Sequence, residues 1–297
     1  MERLPTNLLI AMRTIAEYGN YDLSAYEVSS ENRINAAGER FEYYIKDAFA
    51  GTHHLKGKEM RKKAYAELFF EGDVNHPPDI LLYGGDAFEI KKIRNPANNL
   101  ELNSSPPRDR LYSSDPRITS ECKRVDGGNW NSRDLFYAVG CIEGNVIKSI
   151  FFVHGECYAA KMEHYDKIVT NIQSMISGNL KSEGIATIEE TNELGRVNDA
   201  DPLKRSYLRI RPMWMLKSPY NVFSEVFRAP AGCEFCMAAI MLKRKWESFP
   251  KEDRNALLRD PRFNVKEVKV SDPNSEKNSL DAVLGIYGHY GKQAKLV

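Results

Sequence analysis

Between residues 34 and 49 the apolar positions Ile34, Ala37, Phe41, Tyr44, Ile45 and Ala48 recur at intervals of three and four, with charged residues between them. That period paints one apolar stripe on a helix and predicts an amphipathic helix over the segment. After a basic stretch from Leu55 to Lys63 the pattern shortens to the runs Ala66–Phe70, Ile80–Tyr83 and Ala87–Ile93. These predict strands, with Gly84-Gly85 joining the last two as a hairpin. From Arg94 to Asn131 proline, serine and asparagine interrupt the apolar pattern and predict loops. The runs Leu135–Ile142 and Val146–Val153, joined through Glu143-Gly144-Asn145, predict a second hairpin. Residues 160–177, Phe235–Trp246 and Lys251–Arg259 read as helices, and 184–228 are mixed. Met213-Trp214-Met215 reads as a core segment.

No repeat, low-complexity tract or Pro/Gly/Ser-rich linker divides the chain. The expectation is an α/β protein with a single domain over 1–297, a core at about 30–180, and peripheral additions at 181–297. Its 297 residues include 42% hydrophobic and 28% charged ones, which excludes disorder, collagen and coiled coil. No apolar run approaches the roughly 20 residues of a membrane span. The start, Met1-Glu2-Arg3-Leu4-Pro5, lacks the basic-then-apolar order of a secretion signal. Five cysteines suit a reducing cytoplasm better than a disulfide scaffold. Cys233-x-x-Cys236 lacks a second pair at zinc spacing, and His53, His54 and His154 read as structural.

The chemistry concentrates in Pro77-Pro78-Asp79 and, across the predicted turn, Glu89-Ile90-Lys91. Residues two apart on a strand share a face, so Glu89 and Lys91 point one way and Phe88 and Ile90 the other. Two acids and a lysine at one end of a hairpin suit Mg²⁺, which takes one or two carboxylates and fills its remaining positions with water and phosphate oxygens. Asp79 and Glu89 are the candidate ligands. Lys91 is placed to orient or help deprotonate a water and to steady a phosphate in an in-line displacement. Register tests this reading. A two-residue Gly84-Gly85 turn pairs Asp79 with Ile90, on the wrong face, whereas a three-residue Gly84-Gly85-Asp86 turn pairs it with Lys91. The site therefore predicts the longer turn or a bulge near Asp79. The competing reading is a charged edge hairpin with solvated carboxylates.

Pro78-Asp79 followed by Glu89-Ile90-Lys91 resembles the PD-(D/E)xK nuclease core, and a helix with Gly38-x-x-x-Glu42 resembles the first helix of that superfamily. Asn32-Arg33-Ile34-Asn35, Leu102-Asn103-Ser104-Ser105-Pro106-Pro107-Arg108, Ser113-Ser114-Asp115-Pro116, Asp134-Leu135-Phe136-Tyr137 and Gly155-Glu156-Cys157-Tyr158-Ala159-Ala160 resemble type II restriction endonucleases of the NgoPII kind. The resemblance covers residues 32–160. It implies a central mixed sheet flanked by helices and Mg²⁺-dependent cleavage of both strands of double-stranded DNA at a short palindrome, GGCC. It makes Asp79, Glu89 and Lys91 catalytic, with Glu42 an accessory carboxylate; an acid on a solvated helix face is the equal alternative for Glu42. A homodimer reading the palindrome and a companion DNA methyltransferase are also implied.

Total charge is +1, from 42 Lys and Arg against 41 Asp and Glu, but its distribution is uneven. Residues 91–133 carry nine basic side chains against five acids, and 203–228 carry six against Glu225. Both stretches suit a DNA backbone. The candidate contacts are Asn103, Ser104, Ser105, Arg108, Arg110 and Arg117 after the catalytic strand, with Arg209 and Arg211 later. Arginine can donate to guanine O6 and N7 together. Lys56, Lys58, Arg61, Lys62 and Lys63 read equally as a solvated face or a backbone clamp. A repair or recombination nuclease on the same core and a non-catalytic DNA-binding module are the alternatives.

Overall fold

The computed structural model describes residues 6–28, 32–73, 75–182, 193–198 and 200–291; the side chains of 33–35 and 179–182 lie outside this description. The chain forms a mixed α/β structure of two compact units. One comprises residues 1–100, 109–159 and 217–297, and the other residues 101–108 and 160–216.

Among the described residues the larger unit is built on a nine-stranded mixed sheet. Its strands are β1 (Phe69–Asp73), β2 (His76–Leu82), β3 (Ala87–Ile93), β5 (Arg110–Tyr112), β6 (Ser132–Glu143), β7 (Val146–His154), β11 (Phe235–Leu242), β12 (Phe263–Ser271) and β13 (Ser279–His289). Strand β4 (Leu100–Asn103) lies off this sheet, as do β8 (Gly195–Val197), β9 (Leu208–Ile210) and β10 (Trp214–Leu216). The order is β1-β2-β3-β6-β7-β11-β13-β12, with β5 on β6. Strands β3 and β6 run parallel, as do β7 and β11, while the other neighbours described are antiparallel. The C-terminal residues expected as peripheral additions thus supply three strands of the central sheet.

Helices α1 (Leu8–Tyr18) and α2 (Arg33–Ala50) cover one face. Alternation along the strands decides what meets them: Phe88 packs on Phe49 at 4.5 Å and on Phe136 at 5.5 Å between ring centres. The Phe41 ring of α2 lies over Gly140 so closely that a Cβ there would sit 2.4 Å from it. Only glycine permits that approach of helix to strand. The other face buries Phe151, Phe223 and Phe227, with the half-buried Tyr220 packed edge-on against Phe151. Short helices α4 (Ser120–Lys123) and α6 (Pro219–Val222), then α7 (Lys243–Ser248) and α8 (Lys251–Arg259), complete the unit.

Three predicted elements differ. Residues expected as a strand at Ala66–Phe70 end a helix, α3 (Lys58–Leu68), before β1 begins at Phe69. Phe235–Trp246 is not one helix but β11 followed by α7. Every residue of β11 is buried, and a strand buried on both faces loses the alternation that would mark it. Met213-Trp214-Met215 is not core: Met213 and Met215 are exposed.

The smaller unit contains α5 (Met162–Ser182), the β8–β9 hairpin and the β4–β10 pair. Trp214 meets Tyr165 edge-on at 5.5 Å. Among the described residues no helix is long and apolar enough to cross a membrane.

Candidate active site

The β2–β3 hairpin is the frame of the site. It pairs Leu81 with Ala87 and Ile80 with Phe88, and Leu82 donates to the Asp86 carbonyl at 3.0 Å. The turn is therefore Tyr83-Gly84-Gly85, with Gly84 at φ +67°. Neither register considered from sequence occurs, because the turn closes one residue earlier. Continuing the observed register sets Asp79 opposite Glu89, on the Glu89–Lys91 face. The ladder stops at Ile80, and the Asp79 carboxylate accepts the Ile90 N–H at 2.5 Å where the strands part. Lys91 Nζ lies 2.9 Å from Glu89 Oε2 and 3.8 Å from Asp79 Oδ2. The three residues singled out by sequence converge.

Their electrostatics follow from crowding in a poorly solvated fork. Burial pushes the Asp79 carboxyl up to about 7; Lys91 opposes this, while Glu89 and Glu42 add to it. Burial alone would lower the Lys91 ammonium, but Asp79 and Glu89 outweigh it and raise Lys91 above its ordinary range. Glu89 is only 7% exposed, and its Oε1 is buried with no hydrogen-bond partner. Buried carboxylate oxygens are ordinarily satisfied. An unsatisfied oxygen beside a second carboxylate is a donor set that fits a hard divalent cation, and Asp79 and Glu89 are the residues that would hold it.

Glu42 comes from α2 and is close enough to raise Asp79, but its own carboxylate is tied to Lys46 at 2.7 Å. Lys46 also reaches Glu71 of β1 at 2.6 Å. Sequence reading missed both Lys46 and Glu71. The Glu42-to-Lys46 spacing of four was a visible helix pairing, whereas Glu71 joins only through the β1–β2 register, which sets it opposite Ile80.

Residues 6–271 match the NgoPII restriction endonuclease family. The chain belongs to that family. The type II restriction enzyme NgoPII of Neisseria gonorrhoeae is 36% identical over 260 residues, which is 87% of this chain and 91% of that enzyme. No solved structure matches. Membership makes this chain a type II restriction endonuclease, a site-specific deoxyribonuclease.

The endonuclease's candidate DNA contacts fall in different settings. Asn103, at φ 51°, and Ser104 are exposed, with Ser105 half-buried, in the turn closed by Ser105 N–H on the Leu102 carbonyl. Arg108 is buried. Arg117 lies 3.4 Å from Asp115. Arg209 and Arg211 are exposed and donate through Nε to Glu193 at 2.7 and 2.8 Å. Arg110 is bound to Asp134 and, at 2.7 Å, to Glu156.

Those two acids and His154 bring ligand atoms within 4.8 Å of one another. This second cluster already holds three cations: Arg110, Arg244 on Glu156, and Lys245, which bridges Asp134 at 3.3 Å and Asp86 at 2.6 Å. Burial alone would raise the Asp134 carboxyl, but His154, Lys245 and Arg110 hold it well below the usual range. Its charges are balanced by side chains, unlike the orphaned Glu89 oxygen.

Proposed function

We propose that Asp79, Glu89 and Lys91 form the hydrolytic centre of a Mg²⁺-dependent endonuclease on a PD-(D/E)xK core, which cuts both strands of a short palindrome, GGCC by family resemblance. The buried, partnerless Oε1 of Glu89 beside Asp79 and Lys91 carries this reading. Asp79 and Glu89 would hold the ion. When bound, Mg²⁺ supplies Lewis-acid polarisation of a phosphoryl oxygen and eases ionisation of water.

The protein groups have separable tasks. Asp79 is fixed by the Ile90 N–H, so its free oxygen is aimed by backbone rather than by a mobile rotamer. Lys91 stays charged between two carboxylates, which makes it a donor that orients water and stabilises negative charge growing on the phosphate. A resting ammonium does not act as a base. Glu42, held by Lys46, acts on Asp79 through its field. One water is consumed for each phosphodiester bond broken.

A palindrome is met symmetrically by a two-fold dimer, each subunit cutting one strand. Asn103, Ser104, Ser105, Arg117, Arg209 and Arg211 are the proposed DNA contacts; the exposed ion pairs of Arg209 and Arg211 with Glu193 are of a kind that exchanges readily for phosphate. Arg108 and Arg110 support the fold around them. A cytoplasmic location and a companion methyltransferase follow from the same reading.

The deciding experiment is digestion of plasmid DNA with Mg²⁺ and with EDTA, followed by mapping of the ends. Discrete Mg²⁺-dependent fragments ending in one sequence, absent for Lys91→Ala, are expected. Metal-independent cleavage or unspecific ends would refute the reading.

A further inference from the structure

Two lysine-centred triads occur in this part of the fold, one at the end of the β2–β3 hairpin and one between α2 and β1. Lys91 is held by Asp79 and Glu89, and Lys46 by Glu42 and Glu71. The second is a half-buried pairing: Lys46 is only 4% exposed, while the Glu42 and Glu71 side chains are 39% and 33% exposed. Helix α2 delivers Glu42 and Lys46 one turn apart on one side, and β1 delivers Glu71 from the other. The triads are linked through Glu42, which acts electrostatically on Asp79, while Glu71 lies opposite Ile80 on the α2 side of the sheet.

The charges of this ensemble are unequal in a specific way. Four carboxylates face two ammonium groups, leaving two negative charges, which one divalent cation cancels. Each triad carries one of these negative charges, but the buried carboxylate oxygen without a partner, Glu89 Oε1, lies on the Lys91 side. On the other side Lys46 lies 2.7 Å from Glu42 Oε1 and 2.6 Å from Glu71 Oε2, distances at which an ammonium donates charge-assisted hydrogen bonds to both. Burying an ammonium is tolerated only with such partners. The Lys46 position is thus already filled by a fixed cation.

We infer that Lys46 is a built-in countercharge standing where a second metal ion would otherwise sit between Glu42 and Glu71, so that each chain takes one divalent cation, at Asp79 and Glu89. Lys46 is a positioning residue in this scheme. It keeps Glu42 and Glu71 from competing for the ion and sets the field felt by Asp79. The inference rests on the metal-dependent reading above.

The two are separated by counting Mn²⁺ bound to the DNA-free protein by electron paramagnetic resonance, which needs no turnover. The native chain is expected to bind one Mn²⁺. Two bound ions would overturn the inference and leave the metal reading intact; none would overturn the metal reading itself. Lys46→Met leaves Glu42 and Glu71 without countercharge, so the variant is expected to bind a second Mn²⁺, and Lys46→Arg to restore a count of one. A purely structural ion pair would give a less stable Lys46→Met protein still binding one ion, which would overturn the inference. If Lys46→Met fails to fold, Glu42→Gln decides, because Lys46 keeps Glu71. Its Mn²⁺ count should remain one with affinity within about threefold of native, whereas a loss of about tenfold or more would make Glu42 a ligand and end the proposal.

Discussion

The Asp79 carboxylate accepts the Ile90 backbone N–H at 2.5 Å, where the β2–β3 ladder gives out. One side chain thereby closes the end of the hairpin and serves the proposed metal site. Asp79→Asn retains an oxygen that can accept from Ile90 but loses the charge. It is expected to fold with nearly native thermal stability and to lose about 10²-fold or more in cleavage. Asp79→Ala removes both, leaves a backbone donor unsatisfied, and should cost about 1–3 kcal/mol in addition. Thermal melts run beside single-turnover digests separate the two. Equal stability of both variants would mean that the capping bond contributes nothing.

The same corner of the sheet depends on a residue with no side chain. Gly72 lies where the β1–β2 register shifts, and a Cβ on it would fall 1.8 Å from the Pro78 carbonyl oxygen. The obstacle is backbone and cannot rotate away. Gly72→Ala is expected to destabilise by about 3 kcal/mol or more and, since Pro78 leads into Asp79, to impair cleavage as well. Gly51→Ala is a suitable comparison: nothing lies within 4 Å of its Cβ, and its φ of +66° implies a cost of about 1–2 kcal/mol. Urea unfolding of the pair gives the order.

Local pattern made some of this legible and long-range geometry hid the rest. The helix at Arg33–Ala50 was visible because Phe41, Tyr44, Ile45 and Ala48 form one stripe, and all are buried. Asp79, Glu89 and Lys91 were visible because a strand puts alternate residues on one face. The turn was misplaced by one residue, since Gly84 and Gly85 both favour turns and nothing local says that Tyr83 belongs to it. Strand β11 was hidden by burial on both faces. Lys46–Glu71 and Arg110–Glu156 were hidden because each joins residues 25 or more apart through packing.

Arg110 separates a structural from a DNA-contacting arginine. Its guanidinium bridges Asp134 and Glu156 and is less than a quarter exposed. Arg110→Ala is expected to lower stability by about 1–3 kcal/mol while changing affinity for cognate DNA less than about threefold. Arg209→Ala should do the reverse, leaving the melting temperature in place and reducing the salt dependence of binding by about one contact. Fluorescence anisotropy over a salt series, with a melt of each variant, checks both. A flat melt and a large affinity loss for Arg110→Ala would return it to the DNA interface.

His53 gives the fold a defined response to acid. Its ring stacks on Tyr18 at 4.4 Å and meets Tyr44 edge-on at 4.7 Å, in a site only 8% exposed. Burial is the main cause that lowers it to about 4, with Arg61 adding to the effect and Asp47 opposing it. An unfolded histidine binds its proton at about 6.5. Between those values the unfolded chain holds more protons than the folded one at this residue, so its contribution to stability rises with pH there. That contribution is complete above about pH 6.5 and is lost as pH falls toward 4, a difference on the order of 3 kcal/mol. His53→Phe keeps an aromatic ring and removes the titration. Native and variant proteins unfolded in urea at pH 7.5, 6 and 5 should therefore diverge progressively in favour of the variant on acidification. Parallel pH curves would show that His53 is protonated without cost.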